Sequence, residues 1–459
     1  MSESTRMMLG LVIGIAIMIV LVMKTKVHTF IALLLAALIT GLIGGMPVAD
    51  ITNAAGETTV GVMTAIKDGF GNTLKSTGII IGLGVMMGGI LEVSGAAEQL
   101  AFTFIRVIGK RKEEWALAIT GWVVSIPVFA DSAIVIFAPL VKAMSSVTGI
   151  SVVGLALSLA CGLQLTHCLV PPTPGPIAMA GTLEADLGLT ILVGLLVSIP
   201  AVASALVYAN KVSSKIDIPA NPEYTVDELM EKYGQLPGAL HSFSPILLPI
   251  ILIALKSVSD FPSAPFGSGA VKSFFSFIGN PVIALIIGVF LSMTLIPKSE
   301  KENALKWITE GVTNSAGILA ITGAGGSFGA ILQKLPIADA LSASLLGLGV
   351  GVFLPFIIAA LLKTAMGAST VAMITTSAMI APMMPSLGFT SPLAKVLVIM
   401  AIGAGSMTVS HANDSYFWVV SQFSDMDTKD AYKCQTGMTA VMGVTTIIVV
   451  FILSLIFVH

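Results

Sequence analysis

A glycine-rich pattern occurs twice in this chain, and each copy interrupts a hydrophobic stretch. The first copy is Gly82-Leu-Gly84 and the second, 241 residues later, is Gly323-Ala-Gly325. A break in a helix within lipid leaves backbone N–H and C=O groups unpaired, so it is tolerated only where protein or a wet cavity surrounds it. Paired breaks in two repeated halves are the best sequence indication of a transporter's binding site. The pattern therefore predicts a secondary transporter.

The composition predicts that the chain lies in a membrane. Of 459 residues, 55% are hydrophobic and 10% are charged, whereas soluble domains carry about 25% charged residues. Several apolar runs can cross or nearly cross a bilayer, which needs about 20 helical residues. These runs are Met7–Met23, Phe30–Met46, Leu187–Val207, Pro281–Ile296 and Thr436–Val458. We expect an all-α polytopic membrane protein with the lipid bilayer as a partner, and a net charge of −2 gives no indication of nucleic acid.

The order of apolar and polar segments predicts two membrane halves. Residues 1–56 form N-terminal spans, 57–209 a first repeat, 210–243 a polar connector, and 244–459 further spans with the second repeat. At roughly 30 residues, the connector is too short for an independent domain. Short loops carry the basic residues, so the positive-inside rule places them in the cytoplasm and the N-terminus outside. Inverted halves are favoured because they build a symmetric midplane site, and the number of spans stays open.

Each repeat is predicted to contain a re-entrant hairpin with a glycine tip, then a broken helix. The predicted tips contain Gly82 and Gly84 in the first half and Gly325, Gly326 and Ser327 in the second. Half-helix N-termini carry free N–H donors and partial positive charge, which suits a substrate carboxylate. The alternative is that these glycines form small-xxx-small faces at which helices pack.

Two isolated charges mark the predicted broken helices. Asp131 is the only charge in the 27 residues Trp115–Val141, and Lys363 is the only one in the 38 residues Leu345–Pro382. A charge at bilayer depth costs at least ~2.5–3.5 kcal/mol, so by default it is functional. Lys363 is predicted to hold the substrate anion, and Asp131 to carry a proton or accept hydrogen bonds. The alternatives are that the two charges pair with each other or that one snorkels to an interface.

Small hydroxyl residues follow both charges and extend the predicted binding site. They are Ser132 in the first half and Ser369 and Thr370 in the second. Their hydroxyl groups, together with unwound backbone, suit a polyhydroxy or carboxylate ligand.

Two histidine segments provide candidates for proton coupling. Thr166–Pro176 contains four prolines in six positions and is predicted to cross the membrane in an extended conformation. Because histidine changes charge near neutral pH, His167 and His411 are candidate proton carriers; the alternative is that each is a neutral hydrogen-bonding group. No histidine or cysteine pair has metal-ligand spacing, so neither a metal nor another cofactor is predicted.

Four motifs resemble the gluconate permease (GntP) family of the ion transporter superfamily. They are Gly84–Glu98, Val170–Pro176, Gly367–Ala372 and Ser410–Asp414. The resemblance implies proton-coupled uptake of sugar acids, with gluconate as the type substrate, across a bacterial cytoplasmic membrane; some members carry D-serine. It also adds Thr173, Asn413 and Asp414 to the expected substrate-binding residues.

Three positions depart from the family pattern. Thr173 replaces a common histidine, Asp131 replaces a glutamate, and Lys363 replaces an arginine that is usual in sugar-acid members. A smaller acid such as glycerate is therefore an alternative substrate.

The combined interpretation is a secondary transporter that imports a small hydroxylated carboxylate by proton symport. Sodium coupling, and D-serine or another small zwitterion as substrate, are the alternatives within this class, and a homo-oligomer stays open. A channel or a membrane-embedded enzyme is the alternative from another class. The enzyme is disfavoured because no clustered nucleophile, base or metal set is present, and the channel because no ring of like charge is present.

Overall fold

The computed structural model describes residues 3–25, 27–53, 56–108, 112–216, 218, 236–260, 266–296, 303–335, 351–411 and 414–457. Within these residues, seven helices are long and apolar enough to cross a bilayer, and a pair bent by 60° forms an eighth candidate span. The only strands in this part of the chain form a two-residue antiparallel hairpin, β1 (Ile51–Thr52) and β2 (Thr58–Thr59). The all-α polytopic class is therefore confirmed.

The first half of the chain contains nine helices within the described residues. They are α1 (Glu3–Thr25), α2 (Thr29–Gly44), α3 (Val62–Val93), α4 (Ala96–Ile108), α5 (Glu113–Val124), α6 (Ala130–Thr148), α7 (Val152–Leu169), α8 (Pro174–Thr182) and α9 (Leu187–Ser213). Most of the predicted connector at 210–243 lies outside the described residues.

The second half follows a similar order. Its helices are α10 (Ala239–Ser259), α11 (Ala270–Ile278), α12 (Pro281–Met293), α13 (Ala304–Lys334), α14 (Phe353–Met366), α15 (Ser369–Ile380), α16 (Pro392–Met407), α17 (Ser415–Phe423), α18 (Thr428–Ala431) and α19 (Gly437–Phe457). In both halves a long helix, α3 or α13, precedes two broken units and a closing helix. The repeat and its inversion stay predictions, which this order supports.

The predicted hairpin tips at the two glycine segments are wrong. Gly82 and Gly84 lie inside the continuous 32-residue helix α3, and Gly325, Gly326 and Ser327 lie inside the continuous 31-residue helix α13. A glycine costs a helix only about 1 kcal/mol, which is less than the cost of leaving backbone groups unpaired at membrane depth. Without a proline, the helices continue through their glycines.

The glycines instead let helices approach each other closely, as the packing alternative predicts. A Cβ on Gly326 would collide with Thr73, and a Cβ on Gly311 would lie 2.9 Å from the Cα of Met86. Ser327 Oγ donates a hydrogen bond of 2.9 Å to the carbonyl of Ile66. Residue numbers rise along α3 as they fall along α13, so these two long helices pack antiparallel.

The breaks predicted near the two isolated charges are present. In the first half the helix stops after Val124 and restarts at Ala130, one residue before Asp131. In the second half Gly367, with φ of 72°, separates α14 from α15. Glycine is favoured at that position because other residues rarely adopt a left-handed backbone.

The α5–α6 unit folds back as a hairpin. Glu114, near the start of α5, lies beside Gly154 at the start of α7. At the other end, Ser145 Oγ of α6 donates a hydrogen bond of 2.5 Å to the carbonyl of Ile150, just before α7. Both ends of the unit therefore lie beside the start of α7, and the break is at the opposite end.

The proline-rich segment is less extended than predicted. Helix α7 continues through Thr166 to Leu169, and α8 begins at Pro174. Prolines are tolerated there because the first turn of a helix has no intrahelical partner for its N–H groups. Only residues 170–173 leave the helix. Since every residue of α7 is buried, this break lies at the centre of the molecule.

Candidate functional site

The starts of three helices meet around one central cavity of about 230 Å³. Residues at the starts of α6, α15 and α17 line it, together with two side chains of α7. The lining residues are Phe129, Ala130, Asp131, Gln164, His167, Ala368, Ser369, Thr370, Asp414, Ser415 and Tyr416. The segments that sequence analysis singled out for their isolated charges and histidines are thus brought together here.

Two of these helix starts present free backbone donors. The residues that precede α6 and α15, Phe129 and Ala368, make no side-chain capping bond. Within the described residues, the first hydrogen-bonded amides are Ala133 in α6 and Ala372 in α15. The amides before them have no intrahelical acceptor, and they lie at the positive end of each helix dipole. Such a place favours an anion.

Lys363 is paired, which contradicts the predicted free cation. Its Nζ lies 2.5 Å from Asp414 Oδ2 and 3.2 Å from Ser369 Oγ. The side chains of Lys363 and Asp414 are 1% and 4% exposed. The alternative pairing of Lys363 with Asp131 is also wrong, because the carboxylate in contact belongs to Asp414, 51 residues further along the chain. Lys363 does not line the cavity.

Asp414 connects several elements at the site. It accepts hydrogen bonds from Ser410 Oγ at 2.5 Å and from the amide of Tyr416 at 3.2 Å, which caps α17. The amide of Ser410 donates to Thr439 Oγ1 of α19 at 3.0 Å. A buried carboxylate with this set of donors is held in its ionised form. The pair therefore fixes the start of α17 against the α14–α15 break.

Asp131 is the carboxylate that stays accessible from the cavity. It is partly exposed, and its Oδ2 accepts a hydrogen bond of 3.0 Å from Ser415 Oγ. No salt bridge in the described part of the chain involves it. A carboxylate in this position can gain a proton or accept a hydrogen bond from a ligand.

Neutral polar groups of α7 and α15 complete the lining. Gln164 Nε2 donates to Ser369 Oγ at 3.1 Å. His167 Nε2 lies 3.3 Å from Thr370 Oγ1. His167 is 9% exposed, and its Nδ1 has no partner among the described residues. These groups can both donate and accept, as recognition of a hydroxylated ligand requires.

The other predicted binding residues do not line this cavity. Ser132 follows Asp131 along α6 but faces elsewhere, and Thr173 Oγ1 donates to the carbonyl of Val170 at 2.6 Å. His411 Nε2 lies 3.1 Å from the carbonyl oxygen of Thr364. Asn413 lies outside the described residues. The glycine-segment residues Gly82, Gly84, Gly325, Gly326 and Ser327 are also absent from the lining.

Sequence analysis missed three lining residues, Gln164, Ser415 and Tyr416. Gln164 is an amide within a wholly buried helix, which is a signal that could have identified it. Ser415 directly follows the polar segment that had been singled out. Tyr416 carries no comparable signal, because its hydroxyl group bonds the carbonyl of Ala160 at 2.8 Å only in the folded chain.

A metal site is not apparent in the described residues. No group of three or more histidine, cysteine or carboxylate side chains within them is arranged to hold an ion. The cysteines Cys161, Cys168 and Cys434 are buried free thiols.

Comparison with known proteins decides the family. Residues 6–456 match the sequence model of the GntP family permeases. This chain belongs to the GntP permease family. A permease of Haemophilus influenzae is 40% identical over 376 residues, which cover 78% of this chain and 76% of that protein. The gluconate permease of Zymomonas mobilis is 33% identical over 399 residues, which cover 85% and 87%.

The fold of this GntP-family chain is also similar to a solved structure. The crystal structure of the Alcanivorax borkumensis YdaH transporter matches with a TM-score of 0.61, covering 94% of this chain and 98% of that one. At 15% sequence identity, this similarity concerns the fold alone. The chain is a multi-pass membrane permease and not an enzyme, and its cavity at the helix breaks is the candidate substrate site.

Proposed function

We propose that this permease imports a small hydroxylated carboxylate, such as a gluconate-like sugar acid, by proton symport across the bacterial inner membrane. The observation that carries the proposal is the convergence of helix starts on the central cavity. The free amides at the starts of α6 and α15 offer donors and positive potential to a carboxylate. Pockets for drug-sized ligands are about 300–1,000 Å³, so a cavity of about 230 Å³ suits a smaller ligand.

The polar side chains suit the hydroxyl groups of such a substrate. Ser369, Thr370 and Gln164 form one polar wall, and Asp131 with Ser415 forms another. In a polar site of this kind, an analogue that lacks a hydroxyl group leaves a buried partner unpaired, which costs about 1–3 kcal/mol. The site therefore selects hydroxylated acids over simple ones.

The charges around the cavity provide a reason for proton coupling. Lys363 offsets Asp414, so an ionised Asp131 leaves one uncompensated negative charge facing the substrate. Protonation of Asp131 removes that charge, and the anion then binds without repulsion. His167 offers a second place for the proton. Proton and anion thus bind together, and the loaded site carries less net charge across the membrane.

Uptake into proteoliposomes tests this proposal. Purified protein should accumulate radiolabelled gluconate or glycerate when an inward proton gradient is imposed, but not with a sodium gradient alone. Asp131→Asn should lose accumulation and keep exchange of substrate across the membrane. Accumulation that follows sodium and ignores pH would rule out the proton.

A small zwitterion is the second candidate, and Asp131 favours it. An ionised Asp131 across the cavity from the helix starts would bind an ammonium group while the amides bind the carboxylate. D-serine fits this chemistry. Competition separates the two candidates: D-serine should displace labelled gluconate poorly if the sugar acid is the substrate, and strongly if the zwitterion is.

A further inference from the structure

A second cleft, remote from the central cavity, is lined by two cations and no carboxylate. It has a volume of about 350 Å³ and lies where α1 begins, where α2 and α13 end, and beside the β1–β2 hairpin. Arg6 and Lys334 contribute the charges, and Thr58 and Thr59 contribute hydroxyl groups. Neither cation forms a salt bridge within the described residues.

The arginine is held in place by the backbone at the end of α2. Its Nη2 donates to the carbonyl of Gly44 at 3.3 Å. Gly45 adopts φ of 97°, and a Cβ there would collide with the guanidinium group. Gly45 therefore serves both the turn that ends α2 and the close approach of Arg6.

The rest of the cleft is apolar. Met7, Met46 and Leu335 are 4%, 9% and 4% exposed and form its inner wall. Outside it, the membrane-facing surfaces of α1 and α2 expose apolar side chains: Leu9 is 43% exposed and Leu42 is 42% exposed. A molecule with an anionic head and apolar chains matches this sequence of surfaces, whereas free phosphate matches only the charged part.

We propose that this cleft binds the head group of an anionic phospholipid between Arg6 and Lys334. Basic pockets between membrane helices are suited to anionic lipid head groups. The acyl chains follow the exposed apolar surface of α1 and α2. The bound lipid then joins the start of α1 to the end of α13, the helix that packs along α3.

Native mass spectrometry of the full-length, delipidated protein tests the proposal. Dioctanoyl phosphatidylglycerol should bind one site more tightly than dioctanoyl phosphatidylcholine, which has no net charge. Each basic residue near a membrane surface contributes about 1 kcal/mol, so the double variant Arg6→Gln/Lys334→Gln should weaken phosphatidylglycerol binding about 30-fold. Arg6→Lys/Lys334→Arg keeps both charges and should retain most of the affinity.

Lys306→Gln is the matched control, because Lys306 lies at the other end of α13 and pairs with Glu310 at 3.9 Å. It should leave lipid binding unchanged. Equal binding of the two lipids, or an equal loss in the control, would overturn the proposal. Inorganic phosphate that binds as tightly as phosphatidylglycerol and displaces it would assign the cleft to a free anion instead.

Discussion

At the scale of single residues, the isolated lysine shows what sequence can and cannot supply. An only charge in 38 apolar residues correctly marks Lys363 as a special position. Its partner could not be read from the sequence, because Asp414 is 51 residues away and one of several polar residues in its segment. The cost of an unpaired ammonium at membrane depth is met by a protein carboxylate rather than by the substrate.

The Lys363–Asp414 pair is expected to be structural, and a double-variant cycle measures this. Lys363→Met leaves Asp414 buried without a counter-charge, and Asp414→Leu does the same to Lys363. Removing one partner of a buried pair costs about 3–5 kcal/mol, whereas replacing both by apolar residues is often close to neutral. Each single variant should unfold well below the wild-type temperature in detergent, and the double variant should recover. Losses that simply add would contradict the pairing.

Gln164 is expected to control substrate affinity through Ser369. Gln164→Leu removes the donor 3.1 Å from the Ser369 hydroxyl group and the one amide of the cavity wall. Loss of a hydrogen bond in a buried polar site costs about 1–3 kcal/mol, so KM should rise by roughly 5- to 150-fold. Gln99→Leu, on α4 and away from the cavity, is the control. An unchanged KM together with a lower thermal stability would assign Gln164 a structural role only.

At the scale of helices, sequence located the breaks near charges but misplaced those at glycines. Asp131 and Lys363 each lie close to a real interruption, since a charge at depth needs a cavity or partner that a broken helix supplies. Glycine alone is ambiguous, because it serves both an unwound tip and close helix packing. The decisive factor is the neighbouring helix, and the α3–α13 contact joins residues far apart in the chain.

Two glycines of α3 separate these roles experimentally. A Cβ on Gly88 would clash with the carbonyl of Pro127 in the α5–α6 break, whereas nothing lies within 4 Å of a Cβ on Gly82. Gly88→Val should therefore displace the break and abolish most uptake. Gly82→Val should retain it, because substitutions away from contacts change stability by about 0.5 kcal/mol or less. Uptake per inserted protein is the measurement, and equal loss in both variants would restore the glycine-tip hypothesis.

At the scale of the whole molecule, sequence predicted an all-α membrane protein with two similar halves. It could not show how the long helices are related. Their antiparallel packing at Gly311 and Gly326 supplies the geometry that inverted halves require. The central cavity then lies where the breaks of both halves meet, as alternating access across a shared site needs.

The two ends of the α3–α13 pair differ, and this difference indicates which side is open. A polar cavity of about 520 Å³, lined by Asn72, Ser76 and Gln333, lies toward the start of α3 and the end of α13. Toward the other end, Met86 packs directly against Gly311. We therefore expect the structure to represent a state accessible from the side of the N-terminus, which the positive-inside rule places outside.

Cysteine labelling in intact cells tests both the state and its orientation. The native cysteines are buried, so the background with a membrane-impermeant maleimide should be low. Ser76→Cys should react from outside, because Ser76 is exposed in the polar cavity, and Met86→Cys should not. A transportable substrate that moves the protein between its two states should lower the labelling of Ser76→Cys. Reaction at Met86→Cys alone would show that the cell holds the opposite state. Reaction at Ser76→Cys only in inverted vesicles would reverse the assigned orientation, since the cavity and the N-terminus share one side of the molecule.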